Sequence, residues 1–559
     1  MMSMILVAAL LVVPGPEALT VAPPTGSADL ILHGGRVLTM LEPEPITAST
    51  ALACRDGRII WVGDDQSTLA LKGEHTRVHD LQGAVAIPGL VDSHAHLYGL
   101  GQSLAQIKLA GTASVEDCLG RVMSAARETP TGWLQGRGWD QNDWPVIAWP
   151  TREQLDQAVP GRPVMLRRID GHAAWVSSEA LRLAGITAQT ADPEGGAILR
   201  DTHGEPTGIL VDNAVDLVRA VIPAPDAAEI RRRVDLAVDH CLSLGLVGVH
   251  EAGTPWSRFE LYRSMHENHE LPLRLTCMLD DQPATLEAGF AAGPFVTDDH
   301  LLQVRAVKLY ADGALGSRGA LLLDDYSDRP GLRGLQVTTA AHLEDVCRRA
   351  AAEGFQVGTH AIGDGANRLM LDIYEKVLGP DLAEARWRIE HAQILTAADL
   401  GRFGDLGVIA AMQPTHCTSD MDWADERLGE DRLAGAYAWR SLLDTGAVLC
   451  FGTDFPIEKV EPLDGLFSAR TRQHADFSPA GGWQPQERLD GRTALRLYTL
   501  GSAYAAFLED ETGVLAPGRL ADVTVLTGDP TTCNPSLMLE IKAIMTIVHG
   551  EVRWLAEND

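Results

Sequence analysis

Short runs of β-branched and aliphatic residues, alternating in polarity, occupy both ends of the chain. From Ala28 they read ADLILHGGRVLTM, ALACRDGRIIWVGD and TRVHDLQGAVAIPG; towards the C-terminus they read GRLADVTVLTGD and IKAIMTIVHGEVRWL. Gly and Asp turns separate the runs, which is the pattern of half-buried strands joined by tight connections. Between the two ends, helical periodicity alternates with apolar strand-like runs: GLVDSHAH at 89–96, PVMLRRID at 163–170, GLVGVHEAG at 245–253, QVRAVKLYADG at 303–313, FQVGTH at 355–360, RWRIEHA at 386–392, VIAAMQP at 408–414 and AVLCFGTDFP at 447–456. Strand–helix alternation of this length predicts an α/β fold, a (β/α)8 barrel over residues 88–511, with the two chain ends (28–87 plus 512–559) forming one composite β-domain. The stretch at about 101–160, with GWLQGRGWDQNDWPVIAWP, is too long for a simple connection and is expected as an insertion over one end of the barrel.

Composition removes several function classes. Of 559 residues 45% are hydrophobic and 22% charged, so the chain is neither disordered nor fibrous. Asp and Glu number 76 against 46 Lys and Arg, a formal charge of −30 that repels a nucleic-acid backbone; no nucleic-acid partner is expected. The eight cysteines are scattered without a Cys-x-x-Cys pair, so buried free thiols are expected. Met1–Val13 is apolar and breaks at Pro14, too short for a membrane span but the length of a signal-peptide core, although no Lys or Arg precedes Arg36. A signal segment over 1–22 implies a periplasmic or secreted protein; without it the expectation is cytoplasmic. No later run is long and apolar enough to span a bilayer.

Several barrel runs end on residues that ligate metals: His94 and His96, Lys308, His360, His391 and Asp454. The C-terminal strand ends of such a barrel meet at one mouth, and the two-residue period of a strand turns His94 and His96 to the same side. Taken singly, each of these residues is as well explained by a hydrogen-bonded core histidine or a turn aspartate.

Together the motifs PGLVDSHAH (88–96), DGHAAWVSS (170–178), VKLYADGALGSRGA (307–320), THAIGDGAN (359–367), RIEHAQI (388–394), QPTHCTSDMDW (413–423) and GTDFPIE (452–458) resemble the amidohydrolase superfamily, in its YtcJ-like branch (amidohydrolase family 3), which includes N-substituted formamide deformylases. The likeness covers about residues 28–555. It implies that the composite β-domain is a β-sandwich and that a divalent metal, zinc by ligand type, is bound at one or two ions per chain. In that pattern His94 and His96 hold one metal, completed by Asp454. His360 and His391 hold the second, and a carbamate formed on Lys308 from carbon dioxide bridges them. An ordinary ion pair of Lys308 with Asp312 is the alternative.

The resemblance implies hydrolysis of a non-peptide, amide-like C–N bond in a small molecule by metal-activated hydroxide, with Asp454 handling the proton and His172 orienting the substrate carbonyl. Arg168, Asp312, Arg318 and Trp144 are the candidate substrate contacts, Trp144 as part of an aromatic lid. A local salt bridge for Arg168, and an anchoring role for the tryptophans, are the plainer readings. A lactone or ester hydrolase, an isomerase, and a non-catalytic small-molecule-binding protein are the competing readings. Dimers are common among such barrels, and no interface is legible here.

Overall fold

A computed structural model describes residues 24–42 and 48–557; the expected signal segment lies outside them. The chain divides into two compact units, one running to Leu97 and resuming at Val238, the other spanning Tyr98–Ala237.

In the first unit eight strands follow one another in a single parallel array: β1 (Leu90–Ala95), β2 (Leu246–Thr254), β3 (Arg274–Leu279), β4 (Leu302–Tyr310), β5 (Gln356–Ala361), β6 (Arg388–His391), β7 (Ile409–Met412) and β8 (Leu449–Phe451). No ladder joins β8 to β1, so the barrel is nearly closed. Hydrogen bonds just past the strand ends span that seam, from the Asp454 N–H to the His94 carbonyl and from the His96 N–H to the Phe455 carbonyl, each 2.8 Å. All six residues of β1 and of β3 are buried, as parallel strands covered on both faces require. The polar residues such strands keep are therefore the informative ones. The covering helices are amphipathic; in Ala340–Ala352 the buried residues Leu343, Val346, Cys347 and Ala350 recur at helical spacing, and Thr339 caps the N-terminus.

The chain ends contribute two further sheets. One contains Ala28–His33, Ala51–Arg55, Arg58–Gly63 and Lys72–Asp80; the other contains Arg36–Val37, Val85–Pro88, Val523–Leu526, Ala543–Val548 and Glu551–Leu555. Val85–Pro88 pairs antiparallel with Val523–Leu526, so N- and C-terminal segments share a sheet as the end patterns suggested. Leu30, Leu32 and Leu52 of the first sheet pack in one apolar cluster with Ala86, Val523, Val525 and Ile547 of the second.

The second unit holds a six-stranded sheet, and it corrects one strand of the sequence reading. The run at 163–170 is not a barrel strand: Val164–Arg168 lies beside Leu134–Trp139 in parallel and Ala173–Val176 in antiparallel. Gly171 at φ +76° turns the chain straight back, a hairpin where a strand–helix unit was expected. The eighth barrel strand is instead RLTCML at 274–279, whose Arg and Thr weaken its apolar signal. The inserted segment is correspondingly longer than 101–160.

All eight cysteines are free, seven of them buried. Among the described residues no helix is long and apolar enough to cross a membrane.

Within the first unit a buried bidentate ion pair ties β3 to the C-terminal segment: Arg274 Nε and Nη2 each donate to the Asp522 carboxylate at 2.9 Å, with side-chain exposures of 4% and 0%. Arg274→Ala strands the Asp522 charge, and the expected loss is about 3–5 kcal/mol. Urea unfolding of the variant should show it; an unchanged midpoint would contradict the assignment.

Candidate metal centre

The strand ends of the barrel bring a set of imidazoles to one carboxylate. His94, on β1, and His96, just beyond it, direct their Nε2 atoms at Asp454 Oδ1, at 3.6 and 3.2 Å. The rings of His94 and His391 lie 4.9 Å apart, and those of His360 and His391 4.5 Å apart. Ligand atoms of His94, His391 and Asp454 fall within 4.8 Å of one another. Lys308, on β4, is fully buried with its Nζ 4.1 Å from the centre of the Tyr310 ring. The six residues singled out as ligands in the sequence thus line one cavity of about 400 Å3.

Three histidines are fixed through their far nitrogen. His96 Nδ1 donates to the Ala252 carbonyl at 2.9 Å, His391 Nδ1 donates to Gln413 Oε1 at 2.7 Å, and His94 Nδ1 donates to Glu390. Gln413 is oriented in turn by donating Nε2 to the Ala411 carbonyl. Each bond leaves the Nε2 lone pair for the centre. Burial, the largest cause, lowers the affinity of His94 and His391 for a proton and takes His360 to about 3, so these imidazoles are neutral donors at physiological pH.

Asp454 behaves oppositely. Burial raises its pKa, but the close approach of His96, with His94 and His416 nearby, outweighs that and holds it at about 2. Lys308 is pushed down to about 8, chiefly by burial and also by Arg388, against the opposing charges of Glu390 and Asp454.

Local backbone shapes this convergence. Asp454 has φ +61° and His391 φ +75°, left-handed values uncommon for such residues, and the turn at His391 breaks the alternation of β6 that places Arg388 and Glu390 on one face. Gly452 is required beside them, because a Cβ there would come within 2.5 Å of Asp92 Oδ1. Asp92 accepts from the N–H and hydroxyl of Thr453, clamping the end of β8 to β1.

Sequence reasoning missed Glu390, Gln413 and His416. Glu390 is fully buried, flanked by Arg388, and its neighbour Gly358 has no side chain because a Cβ would meet Glu390 Oε1 at 2.7 Å. His416 stacks on His391 at 5.7 Å with its Nε2 buried and without a hydrogen-bond partner. The signals were available: RIEH places a carboxylate beside the ligand histidine, and QPTH carries His416 directly after β7.

Other candidates have different surroundings. Asp312 is buried with its carboxylate accepting from the backbone N–H groups of Leu321, Ile362 and Gly363; it holds a loop rather than facing substrate, and the ion pair with Lys308 is not formed. Arg318 pairs with Asp328 at 2.6 Å. His172, Arg168 and Trp144 belong to the second unit. There His172 is exposed and bonded to Asp212 at 2.7 Å, and Arg168 pairs with Asp140 and Asp170. Trp144 is buried and stacked on Trp139 in an apolar core with Trp175 and Leu155, so its ring is core rather than the face of a lid.

The family profile described as Amidohydrolase family matches residues 77–553. The chain belongs to the amidohydrolase family. Within it the chain is 35% identical to the putative amidohydrolase YtcJ of Bacillus subtilis, over 93% of this chain and 98% of that protein. It is 27% identical to the N-substituted formamide deformylase of Arthrobacter pascens, over 91% and 95%. An uncharacterized metal-dependent hydrolase from Pyrococcus furiosus superposes with a TM-score of 0.73 at 30% identity, covering 90% of this chain and all of that one. This amidohydrolase is therefore an enzyme, a metal-dependent hydrolase.

The donor set fits the metal that the family requires. The neutral imidazoles of His94 and His391, held through Nδ1 with Nε2 free for the cavity, stand beside an ionised carboxylate whose Oδ1 is buried and lacks a hydrogen-bond partner, an arrangement that is costly without a cation to satisfy it. Glu390 is the outer partner of His94. Glu390→Gln keeps an acceptor but removes the charge, and metal affinity should fall about 10–100-fold in a chelator competition. Unchanged affinity would contradict that role.

Proposed function

We propose that this amidohydrolase cleaves a non-peptide, amide-like C–N bond of a small molecule, with N-substituted formamides the first class to examine. The observation that carries the reading is the convergence of His94, His391 and Asp454, with His96 Nε2 3.2 Å from Asp454, beside a buried lysine of lowered pKa. The kinship with an N-substituted formamide deformylase supports the bond type.

In this reading His94, His96 and Asp454 would hold one divalent ion and His360 and His391 a second, with Lys308, as a carbamate, the shared anionic ligand. Zinc suits the ligand types. At a pKa of about 8 a minor fraction of the buried Lys308 amine is unprotonated at neutral pH; its lone pair adds to carbon dioxide, one N–H proton is released, and the product is an anion with two oxygens to share. Divalent metal supplies Lewis acidity toward a carbonyl oxygen and acidifies water near neutrality.

The chain's own groups divide the remaining work. Asp454, ionised, accepts the proton of an attacking water at Oδ1 and returns it to the leaving nitrogen. His416, whose buried Nε2 lacks a partner, is the donor within the cavity suited to the substrate carbonyl, the task that sequence reasoning assigned to His172. The two end sheets, which share an apolar cluster, are read as one composite β-sandwich bracing the barrel.

Elemental analysis of protein purified without chelators or a histidine tag tests this reading. The wild type should carry about two metals per chain and Lys308→Ala one or fewer, and the wild type should release equal amounts of amine and formate from an N-substituted formamide. A metal-loaded wild type that hydrolyses no formamide or other amide would overturn it.

A further inference from the structure

Resting on the C–N hydrolase reading, we propose that the substrate carries a protonated nitrogen on its amine side, received by Asp420 and Glu458, and that substrates bearing a carboxylate there are rejected.

The cavity is chemically lopsided. Beyond the candidate metal ligands its wall contains two carboxylates, Asp420 and Glu458, and two aromatic rings, Trp423 and Tyr310. Each carboxylate is held through one oxygen. Asp420 Oδ2 accepts from Gln393 Nε2 at 2.9 Å and from the Tyr437 hydroxyl, and Glu458 Oε1 accepts from Ser419 Oγ at 2.6 Å. Oδ1 of Asp420 and Oε2 of Glu458 are left uncommitted. Two anions so fixed present ready-made acceptors to a cation and need little reordering to bind it.

No guanidinium lines this cavity among the described residues, and its one lysine, Lys308, has no solvent exposure. Arg427, 5.5 Å from the Trp423 ring, is engaged by Asp328. A ligand carboxylate would thus meet two carboxylates with no cationic side chain free to offset them. The aromatic walls act in the same direction, since ring faces attract ammonium and amidinium groups as well as alkyl chains. Gly316 lets the Trp423 ring lie close, for a Cβ there would come within 3.1 Å of it.

This is a ligand cavity rather than a solvated acidic patch. It also contains the buried, partnerless Oδ1 of Asp454 and Nε2 of His416. His416 stands near Asp454, its Nε2 3.7 Å from Asp454 Oδ2. A substrate with its carbonyl at the histidines and its amine substituent reaching past His416 would set its distal nitrogen beside Asp420 and Glu458.

Calorimetry on the metal-loaded protein tests this without requiring turnover. Three primary amines differing only at the far end serve as probes: 1,5-diaminopentane, hexylamine and 6-aminohexanoate. The diamine should bind about tenfold or more tighter than hexylamine, and the amino acid weakest. Glu458→Gln, at the cavity rim, and Asp420→Asn should each erase most of the diamine's advantage while leaving hexylamine binding near the wild-type value. Equal or tighter binding of 6-aminohexanoate overturns the proposal, as does a diamine preference that persists in both variants. Assay of the corresponding N-formyl compounds separates the two readings: the binding order without hydrolysis of any of them supports the recognition site and overturns C–N cleavage.

Discussion

Glu390, a carboxylate with no solvent exposure, lies between the guanidinium of Arg388 and Nδ1 of His94, and the rest of the site is arranged around that shared charge. Burial alone pushes the carboxyl up; Arg388 and His94 hold it well below the ordinary range instead. Removing one partner from such a pair costs about 3–5 kcal/mol, because the other charge is left in a medium that cannot solvate it. The arrangement is extended by the Arg388 bond to His250 at 3.0 Å, and Glu390 also bears on the lysine of the site. One buried carboxylate thereby fixes a tautomer of His94, balances a guanidinium and moderates the pKa of Lys308.

The second constraint is the incomplete barrel seam. β8 and β1 share no ladder, and the groups that join them belong to the residues carrying the chemistry: Asp92 grips Thr453, while the His94 carbonyl accepts from the Asp454 N–H. Closing the barrel and aligning Asp454 with His94 are therefore one event. Left-handed backbone at Asp454 and His391 is tolerated because the surrounding hydrogen bonds over-determine it.

Much of this was legible in the sequence, for physical reasons. Parallel strands buried on both faces tolerate few polar residues, so His94, Lys308, His360 and His391 stood out from their apolar runs. The failures have equally specific causes. PVMLRRID has the composition of a barrel strand, and only the turn at Gly171 reveals the hairpin. RLTCML was overlooked because Arg274 and Thr276 dilute an otherwise apolar run that is entirely buried. Glu390 and Gln413 act on histidines far off in sequence, His94 and His391, through hydrogen bonds, which no spacing rule records. Trp144 stayed open between lid and anchor because aromatic residues suit both until burial is known, and its place in an apolar core favours the anchor.

The two-ion hydrolytic centre proposed for these side chains has a defined metal stoichiometry. The most direct measurement is titration of metal-free protein with zinc in the presence of bicarbonate, following hydrolysis of an N-substituted formamide at each addition. Activity that rises to a break at about two equivalents per chain, and disappears again with a chelator, is the expected result. Zinc bound to saturation with no hydrolysis at any occupancy would contradict it.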